Sequence, residues 1–74
     1  MTEPNPRPLV INGEKVSVPT EWTLLDVLRS RGVEPTTRGV AVAVGDTVIP
    51  RSSWAQVRLN DGDRIEVVTA VQGG

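Results

Sequence analysis

The chain closes with Val71-Gln72-Gly73-Gly74, and its chemistry is expected at that terminus. Glycine carries no Cβ, so two in sequence make a thin, pliable thread able to enter a crevice that rejects side chains. A terminal carboxyl titrates at about pH 3.5, so at neutral pH Gly74 ends in an anionic oxygen nucleophile that is a poor acyl donor. It must be activated before it can pass anything on. Gly74 is therefore the expected site of covalent attachment, with Gly73 giving it clearance.

The other chemistry-bearing residues read as structure. Asp61 and Asp63 flank Gly62, but a calcium loop needs ligands at several alternate positions and a distal Glu, whereas Asn-Asp-Gly is turn chemistry. Ser17, Ser30, Ser52 and Ser53 lack a His to activate them, because the chain has none, so capping or solvated roles are expected. Gly39 and Gly45 are too isolated to form a phosphate loop. With no Cys there is no disulfide, no thiolate metal site and no cysteine able to carry sulfur. The expectation is a chain with no catalytic residue and no metal site of its own.

Eight basic residues against nine acidic leave a net charge of −1. The arginines are scattered among carboxylates, unlike the basic, aromatic-bearing face of a nucleic-acid binder, so no nucleic acid is expected as a partner. Lys15 is the single lysine, which leaves few places to attach a modifier and argues against a chain-building tag. The longest apolar run, Val40 to Val44, is far short of the roughly 18 residues that span a bilayer. Met1-Thr2-Glu3-Pro4 has neither the basic flank nor the apolar core of a secretory signal. A cytoplasmic protein without a membrane partner is expected.

Seventy-four residues make one domain, and a chain of this size buries only about 60% of the surface it exposes when unfolded. The core must be single and compact. Residues 1–7, with two prolines and no apolar period, predict a disordered extension. Two short β-type runs, 8–12 and 14–18, surround Asn12-Gly13, a dipeptide that suits a hairpin turn needing positive φ. Thr23 with Asp26 three residues on predicts a helix N-terminus. The stripe Leu24, Leu25, Val27 and Leu28 carries the helix to about residue 31, where Gly32 supplies a left-handed terminator.

Val40 to Val44 and Thr47 to Ile49 predict a second hairpin around Gly45-Asp46, with Val40, Val42 and Val44 facing the helix. Arg51 to Gln56 reads as one turn capped by the Ser52 or Ser53 hydroxyl. Residues 64–71, the most β-branched stretch, predict a final strand in the middle of the sheet. Trp22 and Trp54 could anchor a partner or plug the end of the sheet. The order of elements gives an α+β, β-grasp (ubiquitin-like) domain over residues 8–71, in which a mixed sheet of about five strands packs on one helix. A flexible tail follows at residues 72–74.

On the face opposite the helix, Ala41, Ala43, Val68 and Ala70 would form a small apolar patch leading through Val71 and Gln72 to the glycines. These six are the candidate partner-docking residues. The four residues beyond Ala70 reach at most about 14 Å when extended, enough to enter a partner's cleft while the body stays outside.

Several stretches read together resemble one family. They are Ile11-Asn12-Gly13, Thr23 to Leu28, Val40 to Val44, Val48-Ile49-Pro50-Arg51-Ser52 followed by Trp54, Leu59 to Asp63, and the closing Glu66-Val67-Val68 with Gly73-Gly74. Together they are similar to the ThiS family, sulfur carriers of thiamine biosynthesis. The likeness spans Pro8 to Gly74 and departs from the family's pattern in the lead-in and at Gly45-Asp46, where Asn-Gly is common. It implies that a ThiF-type adenylyltransferase, using ATP and magnesium, converts the Gly74 carboxylate to an acyl adenylate. Sulfur from a cysteine desulfurase then gives a thiocarboxylate, and thiazole synthase (ThiG type) accepts it. The chain itself would be a recycled co-substrate, not an enzyme. Two related roles share the fold and the tail: the small subunit of molybdopterin synthase, which the Pro50 to Trp54 segment fits less well, and a ubiquitin-like protein modifier.

Overall fold

The computed structural model describes residues 6–69. The first strand, β1 (Arg7–Ile11), and the second, β2 (Glu14–Val18), pair antiparallel. Asn12 and Gly13 turn between them at φ 50° and 84°, the left-handed pair that the Asn-Gly turn predicts. Arg7 was expected in the lead-in, but it is a strand residue opposite Val18. Its guanidinium explains why: it donates to the Leu59 carbonyl and, at 3.1 Å, to Asp61 Oδ1. Of the rest of the predicted extension, Pro6 precedes the strand and residues 1–5 lie outside the described residues.

Helix α1 (Leu24–Arg29) begins where its capping pair places it. The Thr23 N–H donates to Asp26 Oδ2 at 2.9 Å, and the Thr23 hydroxyl accepts from the Asp26 N–H. The α-helix ends two residues before the expected boundary because its last turn tightens. Arg31 N–H bonds the Leu28 carbonyl at 2.9 Å, Gly32 N–H bonds Arg29 at 3.0 Å, and Val33 N–H reaches back to Leu28 at 2.9 Å. Gly32, at φ 83°, takes the terminating role that glycine is suited to.

The second hairpin is β3 (Val40–Val44) and β4 (Thr47–Val48). A 3₁₀ helix follows at Arg51–Gln56. Here the expected serine cap is corrected: the helix starts at Pro50 with no side-chain cap. The Pro50 carbonyl accepts the Ser53 N–H at 2.9 Å, so the turn begins before the serines and both lie inside it rather than at its cap. The last described strand is β5 (Arg64–Thr69); Ala70 and Val71, assigned to the same strand from sequence, lie outside the described residues.

The sheet order is β2-β1-β5-β3-β4, which puts β5 in the middle as its composition predicts. It pairs parallel with β1 and antiparallel with β3. Leu24, Val27 and Leu28 of the helix meet Leu9, Ile11, Val18, Val42 and Ile65 of the sheet in one buried cluster. Val42 is buried and Val40 and Val44 pack beside it, so the valines do face the helix. Trp54 is 1% exposed and belongs to the same core, its Nε1–H donating to the Ile49 carbonyl at 3.0 Å. Trp54 is thus the plug of the two alternatives, while Trp22 packs part-buried at the cluster's margin.

Candidate functional site

The open face of the sheet carries three of the residues expected to dock a partner, Ala41, Ala43 and Val68. Side chains alternate across a strand, so Val68 and Glu66 of β5 share this face with Ala41 and Ala43 of β3. The register sets Ala41 opposite Val68 and Ala43 opposite Glu66 and Val48. Among the described residues, Val48 and Val68 are the two large hydrophobic side chains left most exposed, at 71% and 59%. The apolar ground therefore runs diagonally from Val48 through Ala43 and Ala41 to Val68, with Glu66 beside it. Val48 was not among the sequence candidates, because a two-residue strand gives too little alternation to assign its face.

A shallow concavity of about 260 Å³ lies at the Val68 end, lined by Gly39, Val40, Ala41, Arg51 and Val68. Its wall is held by Arg51, which donates to the carbonyls of Pro35 at 2.6 Å, Thr37 at 2.7 Å and Val40 at 3.1 Å. The same guanidinium sits 5.5 Å from the Trp54 ring centroid, a cation–π distance. One side chain thus ties the 35–40 connection to the 3₁₀ helix and the edge of β3. No local pattern in the sequence could name three carbonyls 11 to 16 residues away.

The remaining candidates behave as structure. Asp63 Oδ2 accepts the Asn60 N–H at 2.8 Å, and Gly62 adopts φ 82°, so the Asn-Asp-Gly-Asp stretch is the turn its composition implies. Asp61 pairs with Arg7. The Ser30 hydroxyl donates to the Val27 carbonyl at 2.6 Å. Among the described residues, no group of His, Cys, Asp or Glu is arranged to hold a metal ion, and no helix is long and apolar enough to cross a membrane. Gly74, the expected attachment residue, its neighbour Gly73, and the docking candidates Ala70, Val71 and Gln72 lie outside the described residues.

The family model described as "ThiS family" matches residues 5–74. The chain belongs to the ThiS family. A thiazole synthase of Paramagnetospirillum magneticum is 42% identical to this ThiS-family chain over 66 residues, covering 89% of the chain and 20% of that protein. The sulfur carrier protein ThiS of Escherichia coli is 39% identical over 36 residues, 49% of this chain and 54% of that one. The ThiS-family chain thus spans about a fifth of the first relative and about half of the second. A crystal structure of the thiamine biosynthesis protein ThiS from Geobacter metallireducens superposes with a TM-score of 0.71 at 23% identity, covering 90% of this chain and 99% of that one. That likeness shows the fold, a ubiquitin-like β-grasp with a five-stranded mixed sheet on one helix.

Proposed function

We propose that this chain is a sulfur carrier protein of thiamine biosynthesis and that it carries sulfur on Gly74. The observation that carries the reading is the relative in which a ThiS-like stretch makes up a fifth of a protein named thiazole synthase. A carrier joined to an acceptor enzyme in one organism is what two partners acting in succession would leave behind.

The chemistry follows from the terminus. The Gly74 carboxylate attacks the α-phosphorus of ATP on a ThiF-type adenylyltransferase with magnesium, pyrophosphate leaves, and a mixed anhydride replaces the unreactive carboxylate. The outer sulfur of a cysteine desulfurase's persulfide displaces AMP, a thiol reduces the resulting acyl disulfide, and the thiocarboxylate so released is a softer, stronger nucleophile than the carboxylate. Thiazole synthase then takes the sulfur, and an oxygen from the acceptor or from water regenerates the carboxylate. The open sheet face, from Val48 to Val68, is the surface that would rest on these partners while Gly73 and Gly74 enter their sites. The carrier acts as a co-substrate of these enzymes, and its work is done in the cytoplasm.

The test is intact mass after incubation with ATP, magnesium, a sulfur source and the adenylating enzyme. The expected result is a gain equal to sulfur minus oxygen, abolished by deleting Gly74. A Gly74-deleted chain that still gains this mass would overturn the attachment site. Sulfur passing only to a molybdenum-cofactor precursor would overturn the thiamine role, and conjugates on target lysines would point to a modifier.

A further inference from the structure

The parallel ladder between β1 and β5 is short. It covers Val10 opposite Arg64 and Ile11 opposite Ile65, and closes with the Asn12 N–H on the Ile65 carbonyl at 2.9 Å. There β1 turns away, at the left-handed Asn12 and Gly13, while β5 continues to Thr69 and, among the described residues, pairs from there on with β3 alone. The Asn12 side chain takes up the next rung. Its Oδ1 accepts the Val67 N–H at 2.8 Å and its Nδ2 donates to the Val67 carbonyl at 3.2 Å. A carboxamide offers the same acceptor and donor as a peptide group, so Asn12 stands in for the strand residue that β1 lacks.

From these contacts, and resting on the sulfur-carrier reading above, we infer that Asn12 is a positioning residue for loading Gly74. It holds β5 on both sides out to Val67, seven residues before the attachment point. Without that clamp, β5 beyond Ile65 is held from β3 alone and frays. A partner capturing the terminus must then order more backbone, and each added residue costs conformational entropy. The cost falls on capture. Once the carboxylate sits in the partner's site, Asn12 is far from the reacting atoms and the chemical step is untouched.

Two variants separate the clamp from the turn. Asn12→Gly keeps the positive φ without strain but removes the amide. Asn12→Asp keeps the shape but faces the Val67 carbonyl with a carboxylate oxygen in place of a donor. Both are assayed in full-length chain by steady-state adenylation with the ThiF-type enzyme and by amide hydrogen exchange. The expected result is a rise of about five- to tenfold in KM with unchanged kcat, the size of one to two net hydrogen bonds. Exchange should quicken at Val67 but not at Leu28 or Val42. A KM equal to wild type, or a fall in kcat with KM unchanged, would overturn the positioning role while leaving the carrier reading intact. Wild-type chain that is never adenylated would overturn both.

Discussion

Ala41 and Val68 stand directly opposite one another in the β3–β5 ladder, and both are exposed on the face away from the helix. An apolar cross-strand pair left in water does little for the sheet, yet it is well placed to lose water against a partner. Replacing Val68 with Lys should therefore lower affinity for the proposed adenylating partner at least tenfold, about 1.4 kcal/mol. Folding stability should shift by no more than about 0.5 kcal/mol, as for other surface positions. Calorimetric titration and urea unfolding of the same preparation check the two halves.

Trp54 has the opposite character, being 1% exposed with its indole N–H bonded to the Ile49 carbonyl. Trp54→Ala should cost about 3–5 kcal/mol, most of what a domain this small has in reserve. Trp54→Phe retains part of the ring's packing but leaves the Ile49 carbonyl unpaired, and should fall between wild type and the alanine variant. Urea midpoints followed by far-UV circular dichroism give the order.

Arg51 reaches three backbone carbonyls with one planar group. A lysine keeps the charge but not the fork. Arg51→Lys should lose about 1 kcal/mol, a net value for solvent-exposed hydrogen bonds. Amide exchange should quicken between residues 35 and 40 before it quickens in the helix. Equal protection in that connection would show that the charge alone suffices.

The cap and the terminator of α1 should each be felt, because six residues are too few to hold a helix by propensity. Thr23→Ala should cost about 1 kcal/mol through loss of the capping hydroxyl.

Gly32→Ala should cost a similar amount, about 1 kcal/mol, for backbone reasons. A Cβ there would meet nothing within 4 Å, but φ is +83°. The two penalties should add in the double variant, since the sites make separate hydrogen bonds at opposite ends of the helix. Chemical unfolding measures all three.

Much of the fold was legible because its signals are local. Asn12-Gly13, Thr23 with Asp26, and Gly32 each impose their geometry within a few residues, and the structure has all three where expected. The valine alternation of β3 was equally plain. What escaped were contacts that exist only after the sheet forms. Asn12 was legible as a turn residue but not as a rung for Val67, 55 positions away. The serines after Pro50 read as caps because hydroxyls there usually cap, and only the observed start of the 3₁₀ turn at Pro50 places both of them inside it. The same limit applies to the site. The alternation of β3 and β5 named Ala41, Ala43 and Val68, whereas Val48 joined them only through the pairing of a two-residue strand with β3.

The position of β5 has a consequence for synthesis. It is the last of the five strands to be made, yet the two hairpins belong to one sheet only through it. A nascent or clipped chain without residues 64–69 holds two isolated hairpins, and such pairs are marginal in water by themselves. The proposed sulfur-bearing residue therefore follows the strand whose insertion completes the domain. An unfinished molecule lacks both the face that partners would test and the end they would charge, so under the proposed function the fold would act as its own inspection step.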